Sequence, residues 1–233
     1  MDFAVDYKSL RPFTAEIPVV STKLNSTDRW NAIKLRWGIG RDYSMVTPGL
    51  YKVGNPDSNS DVYVSANYTL SFDTLRRNLD TLNAWILVID TKGVNVWCAA
   101  GKGIFSTQNL VKSIKNTLLE NIVKHRKLIV PQLGAVGVAA HKIKEQTGFR
   151  VIFGPVQARD IKKFVNSGYK ATPEMRKIKF TIFERAKLIP VDFMYGKYKL
   201  LLVLFIFFVL SGLDKSGFLF GKMIETCSFP LIS

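Results

Sequence analysis

The sequence predicts a three-layer α/β domain built on a mainly parallel sheet, and two observations support this fold class. Short apolar strands alternate with helical segments over about 130 residues, which is the pattern of strand–helix–strand units. One strand, Trp85–Asp90, is apolar almost throughout, as is typical of a strand that is covered on both faces. Helices are therefore expected on both sides of the sheet.

The elements follow one another in a regular order. Strands are predicted at residues 62–65, 85–90, 128–130 and 149–153, and helices at 71–82, 107–125, 136–147 and 158–167. Gly148 and Gly168 end two of these helices. After the turn Thr91–Gly93, the segment Val94–Trp97 is predicted to be extended, so that Cys98 lies at the end of a strand.

Changes of pattern along the chain predict the domain boundaries. Residues 1–28 show no periodicity and are expected to form an irregular lead, while residues 29–49 predict a strand-and-turn entry into the domain. The α/β domain is placed at residues 29–192. A juxtamembrane segment with a transmembrane helix is expected at residues 193–220, and a truncated tail at residues 221–233.

The membrane prediction rests on an apolar run that begins at Leu200 and extends to Leu213. This run is shorter than the roughly 20 residues that span a bilayer, so a core helix or a half-span stays open. A helix that is apolar all round needs burial in a large domain, and few residues follow this one, which favours a membrane span. Lys197 and Lys199 precede the run, which predicts that the domain faces the cytoplasm at the cytoplasmic membrane.

Composition restricts the possible functions. The 233-residue chain has a net charge of +15, but its basic residues are dispersed and no RNA-binding motif occurs, so no nucleic-acid partner is expected. Its two cysteines, Cys98 and Cys227, cannot form a disulfide framework, and they lack the CxxC spacing of zinc and iron–sulfur sites. A reducing environment that faces the cytoplasm is the simplest interpretation.

The binding site is predicted beyond the carboxyl ends of the strands, where open α/β sheets hold their ligands. Four loops of small or polar residues meet at this edge. They supply the candidate cofactor-binding residues Ser65, Asn67, Asn95, Trp97, Cys98, Ala99, Ala100, Gly101, Lys102, Gln132, Gly134, Gly154 and Ala158. Because Ala99, Ala100 and Gly101 have little side-chain bulk, they are expected to form a shelf for a flat partner beside the Cys98 thiol.

Other chemistries fit this stretch less well. Gly101-Lys102 resembles the end of a phosphate-binding loop, but Val96 occupies the position of the required glycine and Gly103 that of the Ser or Thr. No dinucleotide-binding fingerprint occurs in the chain. A nucleophilic pair of Cys98 with His141 stays open, as does a purely structural role for Cys98 as a small buried residue.

One stretch matches a known family. Residues Asn95–Gly103, with the sequence NVWCAAGKG, resemble the cap-helix motif of HgcA, the family of corrinoid proteins of microbial mercury methylation. The resemblance covers about Arg29 to Val191 and includes Arg36–Arg41, Ala66–Tyr68, Leu70–Asp73, Pro131–Ala135, Gly137–His141 and Ala171–Arg176. Such proteins are similar to the corrinoid domain of the corrinoid iron–sulfur protein of the reductive acetyl-CoA pathway, joined to C-terminal transmembrane helices.

The resemblance implies a Rossmann-like domain that binds a corrinoid, a cobalamin or another cobamide. Cys98 would be the catalytic residue and the lower axial ligand of the cobalt, and Asn95 and Trp97 would shape the cap. The DxHxxG pattern of histidine-ligated corrinoid proteins is absent, since Ala139 and Lys144 occupy the positions of its Asp and Gly. That absence fits a thiolate ligand.

The implied activity is that of a corrinoid-dependent methyltransferase. A methyl group would pass from a methyltetrahydrofolate-linked donor through cobalt to Hg(II), forming methylmercury, with the ferredoxin-like iron–sulfur protein HgcB as reductant. A thiolate below the cobalt would favour transfer of the methyl group as a carbanion equivalent. Two alternatives stay open: a corrinoid methyltransferase subunit of one-carbon metabolism in the acetyl-CoA pathway, and a membrane-tethered thiol or binding module without a corrinoid.

Overall fold

The computed structural model describes residues 17–178, 181–186, 189–211, 213–214 and 217–218. These fall into two compact units, one within Met1–Leu35 and Gly40–Lys179 and the other within Arg36–Ile39 and Phe180–Ser233. Most of the predicted irregular lead and the whole of the predicted tail at residues 221–233, with Cys227, lie outside the described residues.

The first unit is built on a six-stranded sheet. Its strands are β1 Val19–Val20, β2 Gly49–Val53, β3 Val62–Ala66, β4 Ala84–Ile89, β5 Lys127–Val130 and β6 Arg150–Phe153. They lie in the order β1-β2-β4-β3-β5-β6, and all neighbours are parallel except β2 and β4. The mainly parallel sheet predicted from the sequence is confirmed.

Helices cover both faces of this sheet. In chain order, the α-helices as far as residue 176 are α1 Ser26–Arg36, α2 Thr69–Asn78, α3 Val96–Gly101, α4 Thr107–Asn116, α5 Leu119–Ile122, α6 Ala140–Thr147, α7 Ile161–Asn166 and α8 Pro173–Arg176. On one face, Leu110 of α4 and Ile143 of α6 belong to a buried core. On the other face, Phe72 of α2 and Phe164 of α7 belong to a second core. Alternate residues of β3 and β4 supply the sheet side of each core, so the three-layer arrangement is confirmed.

A buried arginine fastens α2 to the start of the described chain. Arg76 donates hydrogen bonds to Asp73 Oδ1 at 2.7 Å, to Asp28 Oδ2 at 2.9 Å and to the carbonyl of Ser21 at 2.6 Å. Burial raises the pKa of the Asp73 carboxyl above its usual value, against the opposing effect of Arg76. Burial is also the largest single effect on Asp28 and acts to raise its pKa, but the hydrogen bonds from Arg76 and from Asn25 N, together with the positive charge of Arg76, outweigh it and lower the pKa of that carboxyl.

Three elements near the start of the domain were not predicted. The first is the strand β1, Val19–Val20, which lies within residues 1–28, where an irregular lead was expected. Residues 29–49 were expected to form a strand and turn, yet most of α1 lies there. Asn25 and Asp28 cap this helix reciprocally: Asn25 Oδ1 accepts from Asp28 N at 2.7 Å, and Asp28 Oδ2 accepts from Asn25 N at 3.0 Å. The strand β2 also went unpredicted, because its five residues contain no continuous apolar run.

The long helix predicted at residues 107–125 is divided in two. Between the end of α4 and the start of α5, Leu118 has a φ of 47°, a left-handed conformation that interrupts the helical hydrogen bonds. The hydroxyl of Thr117 donates to the carbonyl of Ser113 at 2.8 Å at the end of α4. The apolar period continues across this break, so the sequence pattern did not reveal it.

The segment predicted to be extended before Cys98 is a turn that leads into a short helix. Asn95 is the N-cap of α3, and its side-chain oxygen accepts a hydrogen bond from the backbone N–H of Cys98 at 2.9 Å. Cys98 therefore lies in the first turn of a helix, and the prediction of a strand was wrong. A helix is thus present at the position where the family resemblance implies one.

The second unit contains α9 Ile182–Ala186, α10 Ile189–Ser211 and the two short antiparallel strands β7 Leu213–Asp214 and β8 Gly217–Phe218. The apolar run that begins at Leu200 occupies the C-terminal half of α10, whereas Asp192, Lys197 and Lys199 interrupt the N-terminal half. Within the described ranges, no helix is both long enough and apolar enough to cross a membrane. Part of the range 193–220, where a transmembrane helix was predicted, lies outside the described residues, and that helix stays a prediction.

Candidate cofactor site

A cavity of about 360 Å³ lies at the carboxyl end of β3. Its wall is mainly apolar, and it is formed by β3, the N-terminal half of α2, the start of α3, and the segments that follow β5 and β6. The volume is in the range of small-molecule sites. The cavity lies at the edge of the sheet where the sequence placed the site.

Five of the predicted site residues line this cavity, namely Ser65, Asn95, Trp97, Gly154 and Ala158. Ser65 is buried, and its hydroxyl donates to the carbonyl of Ala66 at 3.0 Å. A Cβ atom added to Gly154 would lie 3.2 Å from Ile129 Cγ2, so a side chain there would crowd the wall. Trp97 is 50% exposed and brings a large aromatic surface to the border between the cavity and solvent.

The exposed thiol lies next to this wall. Asn95, Val96 and Trp97 line the cavity, and Cys98 follows them directly on α3. Cys98 itself does not line the cavity, and its side chain is exposed and forms no disulfide. This exposure contradicts the structural role of a small buried cysteine. Among the described residues, no hydrogen bond joins Cys98 to His141, and no three metal-ligating side chains form a group.

The shelf of small residues predicted after Cys98 was wrong for two of its members. Ala99 and Ala100 are 0% and 5% exposed and belong to the core, so they offer no surface to a ligand. Their small size has another cause, which is the close packing of α3 against the chain that follows β5. A Cβ atom on Gly137 would overlap the carbonyl oxygen of Phe105 and would lie 3.4 Å from Ala100 Cα.

Four other candidates lie outside the cavity wall. Gly101 and Lys102 are exposed at the end of α3, with open space around Gly101. Gln132 and Gly134 lie in the 3-10 turn Gln132–Gly134, which packs against α3. A Cβ atom on Gly134 would come within 2.5 Å of the Phe105 ring, which explains the glycine. The Oε1 atom of Gln132 is buried and has no hydrogen-bond partner in the described chain.

Asn67 was predicted to bind the cofactor, but the structure gives it other contacts. It is fully buried and does not line the cavity. Its side-chain oxygen accepts hydrogen bonds from the backbone N–H groups of Thr91 and Gly93, both at 3.0 Å. Asn67 therefore holds the turn between β4 and α3 instead of presenting a polar group to a ligand.

One face of α2 supplies site residues that the sequence analysis did not name. Leu70, Ser71, Thr74 and Leu75 line the cavity, and their spacing places them along one side of a helix. A signal was available: α2 follows β3 directly and so begins at the same edge of the sheet. The hydroxyls of Ser71 and Thr74 add polar groups to a wall that is otherwise mainly apolar.

Tyr63 contributes a buried hydroxyl near the cavity. The residue is 2% exposed and forms part of the lining, and its hydroxyl has no hydrogen-bond partner in the described chain. Burial raises the pKa of Tyr63, and the negative charge of Asp61 raises it further. The carboxylate of Asp61 is engaged elsewhere, since it accepts from the Tyr169 hydroxyl at 2.8 Å.

Comparison with known families places the domain. The family model of the CO dehydrogenase/acetyl-CoA synthase delta subunit matches residues 24–165, which is more than half of the 233-residue chain. The chain belongs to this family. The segment that matches the delta-subunit model includes every residue that lines the cavity.

Relatives of the family agree with the acetyl-CoA-pathway side of the resemblance. The chain is 32% identical over 127 residues to the acetyl-CoA decarbonylase/synthase complex subunit gamma of Methanopyrus kandleri, which covers 54% of this chain and 27% of the relative. It is 32% identical over 120 residues to the corrinoid/iron-sulfur protein large subunit of Moorella thermoacetica, which covers 51% and 26%. The chain thus spans about a quarter of the length of these curated relatives.

Proposed function

We propose that this chain contains the corrinoid-binding domain of a methyl-group carrier, with Cys98 as the lower axial ligand of the cobalt. The observation that carries the proposal is the exposed Cys98 thiol on a capped helix beside the cavity. It is supported by membership of the delta-subunit family and by the name of the Moorella thermoacetica relative, a corrinoid/iron-sulfur protein.

The residues around the cavity fit a large, mostly apolar cofactor with polar substituents. The wall is mainly apolar, and at Gly154 it is packed so closely that a side chain would crowd Ile129. Ser71 and Thr74 offer hydroxyl groups to such substituents. A cavity of about 360 Å³ would take part of a corrinoid, whose remainder would lie over the exposed surface of α3.

The tasks of the protein in this proposal are binding and orientation. A corrinoid bound here would supply methyl transfer at cobalt, and a thiolate ligand would favour departure of the methyl group as a carbanion equivalent. Asn95 fixes the first turn of α3 by accepting from Cys98 N, so the thiol is presented from a defined backbone position. Trp97 and Val96 form an apolar border that would keep water from the bound ring.

Two destinations of the methyl group are compatible with this site: one-carbon metabolism and Hg(II). The relatives are subunits of acetyl-CoA decarbonylase/synthase complexes, which supports transfer within one-carbon metabolism, with the other subunits as protein partners. Hg(II) is the second candidate, because the proposed thiolate ligand Cys98 would favour transfer of the methyl group as a carbanion equivalent, which the electrophile Hg(II) can take. A methyltetrahydrofolate-linked donor, the reductant HgcB and a location at the cytoplasmic membrane belong to this second proposal.

The axial-ligand proposal is tested with the full chain and cobalamin. The wild-type protein is expected to show the absorption of a cobalt–thiolate bond, and Cys98→Ala is expected to lose it while the far-UV circular dichroism stays unchanged. Cys227→Ala is the matched control, because it removes the other cysteine of the chain. An unchanged spectrum in Cys98→Ala would show that another group ligates the metal.

The acceptor is tested in cells with and without the gene. Methylmercury formed from added Hg(II) is measured beside growth that depends on the acetyl-CoA pathway. Loss of methylmercury with normal growth supports Hg(II) as acceptor. Loss of growth with unchanged methylmercury supports the one-carbon pathway, in agreement with the relatives.

A further inference from the structure

We infer that Asn67 is a positioning residue that fixes the turn before α3 and thereby sets where the Cys98 thiol lies relative to the cavity. The inference rests on the proposed function, in which that thiol ligates a metal. It assigns to Asn67 a task at a distance from the ligand, since Asn67 is fully buried and does not line the cavity.

The side chain of Asn67 spans the turn Asp90–Gly93. Its oxygen accepts from Thr91 N and Gly93 N, each at 3.0 Å, and lies 2.8 Å from the Thr91 hydroxyl. Its nitrogen donates to Asp90 Oδ1 at 3.2 Å. Both ends of one amide group are thus used on one turn of four residues.

This turn has a backbone that needs such support. Lys92 and Gly93 both have positive φ angles, 53° and 70°, and Lys92 is a residue that rarely adopts this conformation. Lys92 N donates to the same Asp90 oxygen at 2.9 Å. The Asn67 amide therefore binds the Asp90 carboxylate that accepts from Lys92 N, and it also accepts from the N–H of Gly93.

The turn is joined to Cys98 by a short and well-bonded segment. The Thr91 hydroxyl lies 2.7 Å from the carbonyl of Val94, and Val94 N donates to the carbonyl of Thr91 at 3.0 Å. Asn95 follows and caps the N–H of Cys98. Since each step is hydrogen-bonded, a change in the turn is transmitted to the start of α3.

Asn67 is also tied to the opposite wall of the cavity. It follows β3, which contributes Ser65 to the lining, and it precedes α2, which contributes Leu70 and Ser71. Its backbone N–H donates to the carbonyl of Ile89 at 3.1 Å, and its carbonyl accepts from Val46 N at 2.8 Å. One residue thus fixes the distance between the cavity wall and the helix that carries the thiol.

The chemistry of the contacts requires an amide. Asn supplies an acceptor for the two backbone N–H groups of the turn and a donor for Asp90, whereas Asp supplies acceptors only and would repel the neighbouring carboxylate. Ala supplies neither. An isosteric change at the other end of the network is Thr91→Val, which keeps the backbone N–H and removes the hydroxyl shared between Asn67 and Val94.

The test uses the full chain in a Cys227→Ala background and two readouts. The first is a titration with cobalamin up to saturation, which gives the cobalamin affinity and the cobalt–thiolate absorption of the saturated protein. The second is the rate at which iodoacetamide alkylates Cys98 in the cobalamin-free protein. Asn67→Ala is expected to lose the thiolate absorption, to weaken cobalamin binding about ten- to a hundredfold, and to change the alkylation rate several-fold. Thr91→Val is expected to change both readouts in the same direction by less.

Asn83→Ala is the matched control. Asn83 Oδ1 accepts from Asn55 N at 3.0 Å and so holds the loop between β2 and β3, which is a different loop from the turn after β4. It is expected to leave both readouts as in the parent protein. The inference is overturned if Asn67→Ala keeps full thiolate absorption and the parent alkylation rate. If Asn67→Ala does not fold, unchanged readouts in Thr91→Val overturn it. A parent protein without thiolate absorption refutes the proposed function. In that case the alkylation rates alone decide whether Asn67 positions the Cys98 thiol.

Discussion

Gly137→Ala should destabilise the protein by about 3 kcal/mol, at the upper end of the usual cost of overpacking a core. The added Cβ would overlap the carbonyl oxygen of Phe105, and a backbone atom cannot move aside by a side-chain rotation. Phe105 is fixed in turn, because its N–H donates to the carbonyl of Ala99 at 3.0 Å. Relief of the overlap would also disturb the bond from Thr107 N to the carbonyl of Gly137, which is 3.0 Å long.

Urea unfolding of the full chain, followed by circular dichroism, measures this cost. With a denaturant dependence of about 2 kcal/mol per molar, the expected loss lowers the midpoint by about 1.5 M. Gly101→Ala is the control: Gly101 ends α3 in open space, so alanine should raise stability by about 0.5 kcal/mol. Equal midpoints for Gly137→Ala and wild type would refute the close packing of α3 against the chain after β5.

Two further changes test individual side chains. Tyr63→Phe should stabilise the protein by about 1 kcal/mol, because it removes a buried hydroxyl without a partner in the described chain. Because burial raises the pKa of Tyr63 in the folded protein, the wild type should lose stability as the pH rises above the usual tyrosine value of 10.0, and Tyr63→Phe should lose less. Urea midpoints at several pH values measure both effects. A Tyr63→Phe protein that is less stable than the wild type would show that the hydroxyl has a partner. Asn95→Ala should lower the free energy of unfolding by about 1 kcal/mol, because it removes the cap on α3, and should weaken the thiolate absorption. Asn95→Asp keeps the acceptor oxygen and should retain the stability and the absorption. Equal stability of Asn95→Ala and the wild type would contradict the cap.

The sequence predicted those parts of the fold that depend on local pattern. The apolar run of β4 and the alternation with helices led to the sheet, and Gly148 ends α6 with a φ of 74° as predicted. The break at Leu118 could not be predicted, because the apolar period continues through it. The helix α1 was missed for another reason: its capping pair, Asn25 and Asp28, is visible in the sequence but lies before the boundary predicted at residue 29.

The site was predicted less completely, for a related reason. The rule that ligands bind beyond the strand ends led to Ser65, Asn95 and Gly154, which do line the cavity. It could not separate residues that face the cavity from residues that support it. Small size at Ala100 serves the packing of α3, and the amide of Asn67 serves a turn; both depend on contacts with distant parts of the chain.

Arg76, which joins α2 to Ser21 and Asp28, bears on where a fragment of this protein can begin. A fragment that starts at residue 29, the boundary suggested by the sequence, lacks both Ser21 and Asp28. Arg76 would then keep only Asp73, and two of its three hydrogen bonds would pass to solvent or be lost. Because α2 forms one wall of the cavity, we expect expression fragments that begin before Ser21 to keep the hydrogen bonds that hold this wall, and shorter fragments to lose some of them.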